Sequence, residues 1–230
     1  MKLSILSGGA ALGLVEHVRA RFEAEAGCRI AGEFGAVGAM QEKLLAGAEC
    51  DIVILSRKLV DGLAGDGKVR PASMRDLGVV STGVGVKAGS PPVAVDTPEA
   101  FGRALLDADA VYVPDMQRST AGQHMKQVFQ RLGVLDAIAA KIREFPNGAT
   151  AMKAMAEAPG RPVGCTQITE ILYSPGVRAV GLLPADCELD TVYTAAVTTD
   201  AREAALAGRL LDLLAGRDLD AYKNAHGFKV

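Results

Sequence analysis

Apolar runs and amphipathic segments alternate along this chain almost without interruption, and that alternation constrains its fold more than any other feature. Strands are expected at Leu3 to Leu6, Arg29 to Phe34, Ile52 to Leu55, Val79 to Val86, Ala110 to Val113, Pro162 to Cys165, Ala179 to Leu182 and Thr191 to Val197. Between them Leu14, Val18 and Phe22 share one helical face, as do Met40 with Leu44 and Met125 with Phe129 and Leu132. Strands interleaved with helices in this way build a mainly parallel sheet covered by helices, an α/β fold. Thr97-Pro98-Glu99 reads as a helix start, with a capping Thr and Pro at the first helical position.

The stretch Tyr112 to Met125 carries the most chemistry. An apolar run stops at Pro114-Asp115, and a helix pattern restarts after Ser119-Thr120. Either hydroxyl can cap the helix, and Ala121 and Gly122 leave its first amides open to a visitor. Unsatisfied amides and the helix dipole favour an anion there, and Arg118 adds a planar charged fork suited to a carboxylate. The competing reading pairs Arg118 with Asp115 three residues before it. Three more junctions share the pattern: Ser7-Gly8-Gly9-Ala10, Gly35-Ala36-Val37-Gly38 and Asn147-Gly148-Ala149-Thr150. Open α/β sheets bind ligands at such carboxyl ends of strands. Polar residues interrupt a further strand end at Thr166, Gln167, Thr169 and Glu170.

Composition removes several function classes. The 230 residues are 49% hydrophobic and 23% charged, with a formal net charge of −2 and no Lys/Arg cluster longer than a pair or two, so nucleic acid is not an expected partner. No apolar run approaches the roughly 20 residues of a membrane helix, so no membrane insertion is expected. Cys28, Cys50, Cys165 and Cys187 include no C-x-x-C spacing; four free, mostly buried thiols are expected, with two disulfides open only to an exported protein. There is no G-x-x-x-x-G-K-[ST] loop and no G-x-G-x-x-G, and neither a cofactor nor a metal is expected.

The run Leu3 to Ala10, then Phe22 to Gly27, Glu42 to Gly47, Asp51 to Ser56, Thr120 to Gly122, Arg131 to Gly133 and His226 to Phe228 resembles the type II periplasmic binding proteins, in particular their molybdate-binding branch. The resemblance implies two α/β lobes, each a mainly parallel sheet flanked by helices, joined by two crossing hinge strands with a ligand cleft between. On this chain one lobe would take 1–82 plus 195–230 and the other 83–194. It implies a small anionic ligand and an ABC-transporter membrane component as partner. A periplasmic location is expected if a leader has been removed, a cytoplasmic one if Met1 is the native start.

Molybdate binders of this branch use two serines, a tyrosine and amides at two helix starts. Those side-chain positions are here Ala10, Val37 and Gln167, and the amide positions fall near Ala121 and Gly148. Three hydroxyl donors are thus replaced, which favours an organic carboxylate over a tetrahedral dianion. The expected binding set is Ser7, Gly9, Ala10, Ala36, Val37, Arg118, Ser119, Thr120, Ala121, Asn147, Gly148, Thr166 and Gln167. Two functions stay open: a solute-binding protein, and an enzyme on the same scaffold that isomerises a small di- or tricarboxylate, resembling aconitate isomerase. For the second, His124 and Glu170 are the acid/base candidates; the plainer readings are a packing histidine and a glutamate placed for the helix dipole.

Overall fold

A computed structural model describes all 230 residues, which divide into two compact units, Met1–Val80 with Thr191–Val230 and Ser81–Asp190. The first begins with β1 (Lys2–Gly8), α1 (Leu12–Ala26), β2 (Arg29–Gly35), α2 (Val37–Leu45), β3 (Ile52–Ser56) and α3 (Arg57–Gly65). The chain leaves it along β4 (Arg75–Lys87). In the second unit follow α4 (Pro98–Asp107), β5 (Val111–Pro114), α5 (Thr120–Arg131), α6 (Leu135–Ile138), β6 (Ile142–Phe145), α7 (Gly148–Glu157), β7 (Val163–Gln167), α8 (Ile168–Tyr173) and β8 (Val177–Leu182). The return is made at β9 (Asp190–Val197), and α9 (Ala204–Ala215), α10 (Asp220–Ala225) and β10 (Phe228–Lys229) complete the first unit.

Each unit is built on three parallel strands. In the first, β1 lies between β2 and β3 with parallel register on both sides, and β9 runs antiparallel to β3 from Ile52 opposite Val197. In the second, β5 lies parallel between β6 and β7, while β4 runs antiparallel to β7 and β8. The ladder of β7 starts at Val163 rather than Pro162, because proline has no N–H to give; Val163 N–H donates to Ala110 O. Two strands lie outside the expected set. The segment of β6, Ile-Arg-Glu-Phe, places two charges in four residues, and β10 is two residues long, so neither has an apolar run to reveal it. The fully buried Ile5, Ile52, Ile54 and Leu55 anchor the first unit, and Phe101, Leu105, Val113, Met125 and Phe129 anchor the second.

One buried carboxylate ties the first unit together. Asp51 Oδ2 accepts the Ser4 amide at 2.8 Å and the Ser4 hydroxyl at 2.7 Å, while Oδ1 accepts the Arg202 and Glu203 amides at 2.8 and 3.0 Å. Asp51 thus caps the approach to α9 and pins β1 to the start of β3.

Candidate functional site

In the first unit, the strand ends present backbone and apolar surface. After β1 the chain makes a short 3-10 turn, Gly9–Ala11, and enters α1 with no side-chain cap; α2 likewise begins after Ala36 without one. Ala10, Ala36 and Val37 are buried. A methyl group placed on Gly8 would lie 2.7 Å from Val37 Cγ1 and 3.0 Å from Tyr193 Cε1, so these side chains close tightly over the end of β1. The Ser7 hydroxyl is fully buried and donates to Gly8 O at 2.9 Å, which turns it toward the backbone.

The second unit carries the polar chemistry. Asp115, one residue past β5, organises the loop into α5: Oδ1 accepts the Gln117 and Arg118 amides at 2.8 Å each, and Oδ2 accepts Arg118 Nε at 2.7 Å. Burial raises the Asp115 carboxyl, but the two amides and the Arg118 guanidinium outweigh it and hold it below the usual range. Arg118 is therefore the partner of Asp115, with about half of its side chain still in solvent. Ser119 Oγ accepts the Gly122 amide at 2.8 Å, and Ala121 and Gly122 are buried. The amides of Thr120 and Ala121, one turn from any helical acceptor, open the helix. A methyl group on Gly122 would overlap the Asp115 carbonyl and lie 2.6 Å from Pro114 O, so the first turn of α5 packs directly on the end of β5.

The start of α7 has a different occupant. Asn147 Oδ1 caps Thr150 at 2.8 Å, and Glu170 reaches across from α8 to accept the Gly148 amide at 3.1 Å and the Ala149 amide at 3.2 Å on Oε1. Its Oε2 accepts the Thr166 hydroxyl at 2.5 Å. Burial pushes the Glu170 carboxyl above its usual range, while the Thr166 hydroxyl and the Ala149, Gly148 and Gln167 amides pull the other way. The structure thus brings Asn147, Gly148, Thr166 and Glu170 into one cluster. His124 stands apart from that cluster in its bonding, with Nε2 hydrogen-bonded to Cys187 O at 2.8 Å.

Thr82 is a site candidate that the sequence pattern shows only as part of a strand. It lies directly opposite Gln167 in the β4–β7 ladder, so the two side chains share a sheet face. Its hydroxyl is buried without a hydrogen-bond partner, as is that of Thr169 in the first turn of α8. A cavity of about 280 Å³ elsewhere in the second unit, bordered by Val86, Pro92, Arg103 and Arg161, includes none of the expected binding residues; the bonded clusters at the strand ends have the better claim to be the site. No group of His, Cys, Asp and Glu side chains is arranged to hold a metal ion.

Comparison with known proteins places this geometry in context. Residues 3–229 match the family model described as bacterial extracellular solute-binding protein. An aconitate isomerase from Pseudomonas sp is 27% identical over 223 residues, covering 94% of this chain and 83% of that protein. The molybdate-binding protein of Escherichia coli (strain K12) is 23% identical over 233 residues, covering 100% and 89%. The solved periplasmic molybdate-binding protein of Azotobacter vinelandii superposes with a TM-score of 0.81 at 20% identity, over 99% of each chain. The fold is that of the type II periplasmic binding proteins.

Proposed function

Since the chain belongs to the bacterial extracellular solute-binding protein family, we propose that it captures a small organic carboxylate and presents it to an ABC-transporter membrane component. The observation that carries the choice of ligand is the loop Asp115 to Gly122. A buried aspartate holds the backbone and guanidinium of Arg118 two residues before the first turn of α5, so this short loop would offer a carboxylate both a charged fork and the amides of a helix start. The apolar Ala10 and Val37 supply none of the hydroxyls that a tetrahedral dianion requires. Titration calorimetry with citrate, aconitate, succinate, sulfate and molybdate tests this reading. Heat of binding with a carboxylate and none with the two oxyanions is expected; the reverse order sinks it.

A second reading is favoured by the 27% identity to the aconitate isomerase, a protein named for a tricarboxylate substrate. Here the chain would isomerise a small unsaturated carboxylate. Proton spectra of cis- and trans-aconitate incubated with the protein separate the two readings, because a binder leaves both isomers unchanged.

A further inference from the structure

We infer that Glu170 is a specificity-determining residue: it fills the amide site at the start of α7 from within and so excludes tetrahedral oxyanions from that helix. The inference rests on the reading of this protein as a binder of small anions. A helix cannot satisfy its own first amides, and the positive end of its dipole attracts an anion. At α7 the Asn147 cap accepts the Thr150 amide, and the Gly148 and Ala149 amides look elsewhere for an acceptor. Both go to one oxygen of Glu170, a residue 22 positions later in sequence. The acceptor at this helix start is therefore part of the chain.

The arrangement is enclosed as well as bonded. Glu170 is 5% exposed, and its second oxygen is held by the buried Thr166 hydroxyl. Gly148 must lack a side chain, since a methyl group there would overlap both Thr166 Oγ1 and the Glu170 carboxylate. Glu170 Oε1 occupies the Gly148 and Ala149 amides whether the group is a carboxyl or a carboxylate, because both forms offer an accepting oxygen. A sulfate or molybdate brought to these amides would find the N–H groups taken and the space beside them filled by the Glu170 side chain. The start of α5 has no such internal acceptor on its first two amides, and Asp115 instead turns its charge toward Arg118. One helix start is closed and one is open, which suits a ligand carrying its charge at separated carboxylates better than a compact dianion. With both oxygens held by donors, Glu170 is also poorly placed to take a proton from a substrate.

Glu170→Ala and Glu170→Gln, each checked for native circular dichroism, should be titrated beside the parent with molybdate, sulfate and citrate. Molybdate or sulfate affinity should rise roughly tenfold or more in Glu170→Ala, the size of one to two hydrogen bonds to a charged group. It should rise less in Glu170→Gln, whose amide oxygen still covers Gly148 and Ala149. A folded Glu170→Ala with no gain for either oxyanion overturns the inference. Should Glu170→Ala fail to fold, the amide resonances of Gly148 and Ala149 in the parent decide: they should stay unmoved by millimolar molybdate, and movement on titration overturns the inference. The citrate arm tests the carboxylate reading separately, because the oxyanion arms read Glu170 whether or not the parent binds citrate.

Discussion

Arg118 is held by Asp115 through its Nε edge, and the same carboxylate accepts the Arg118 amide, so backbone and side chain of one arginine are fixed by a single neighbour. Holding the guanidinium in place lowers the entropy lost when it meets a ligand. Arg118→Ala should weaken carboxylate binding by roughly ten- to a hundredfold, and Arg118→Lys should recover only part, because an ammonium keeps the charge without the planar fork. Calorimetry on the three proteins checks this; equal affinities would move the site away from α5.

Asp115→Asn makes a sharper test of the same loop. The change keeps an acceptor for the Gln117 and Arg118 amides but removes the charge that positions the guanidinium. Carboxylate affinity should fall while the melting temperature drops by only a few degrees, about 1 kcal/mol in stability. A large loss of stability with unchanged affinity would assign Asp115 to the fold alone.

The unpartnered hydroxyl of Thr82 gives a prediction in which stability and binding move in opposite directions. A buried hydroxyl without a partner costs about 1–3 kcal/mol. Thr82→Val removes it at nearly constant volume, so the ligand-free protein should melt at the same temperature or higher. If the hydroxyl serves the ligand, as its place opposite Gln167 suggests, carboxylate affinity should fall. A variant that is both less stable and unchanged in affinity would show that Thr82 serves only the fold.

The alternation of apolar runs made the α/β class legible, and hydroxyl-plus-glycine junctions marked where polar chemistry collects. Ser119 and Asn147 do cap α5 and α7, because those signals are local and need only a few residues to act. What stayed hidden depends on distance in sequence. Glu170 meets Gly148 through a reach of 22 residues, and Asp51 meets Ser4 across 47, so no window of pattern could pair them. Thr82 looked like one more residue of an apolar strand, since a strand's pattern says which face a side chain takes but not whether its hydroxyl finds a partner. Arg118 was ambiguous for the opposite reason: Asp115 lies close enough in sequence to be a partner, and only the geometry shows that it is one.

The cysteines should behave as packing residues. Cys50, Cys165 and Cys187 are buried, and burial pushes the Cys50 thiol up to about 12 and raises Cys165 as well. Only Cys28 is partly exposed, and burial raises its thiol too. At pH 8 a thiol reagent should modify at most Cys28 in the native protein and all four cysteines after denaturation. Rapid native modification of Cys165 would contradict its burial and raised thiol.

Asp51 sets the acid limit of the first unit. Burial raises its carboxyl, but the amides of Ser4, Glu203 and Arg202 and the Ser4 hydroxyl more than reverse that, leaving it below the ordinary 3.8. A carboxyl whose folded value lies below its unfolded one stabilises the fold fully at pH above the unfolded value, and that stability is lost as pH falls through the folded value. In Asp51→Asn the amide keeps one oxygen, so one of the two donor pairs, Ser4 or Arg202 with Glu203, must face an NH₂ group. Near pH 7 the variant should be less stable by about 2–4 kcal/mol, the range for lost charge-assisted bonds with donors left buried. Urea denaturation of parent and variant from pH 7 downward should show the gap constant until pH nears 3.8 and narrowing below it. A gap that stays constant well below pH 3.8 would mean that Asp51 contributes shape and packing rather than charge.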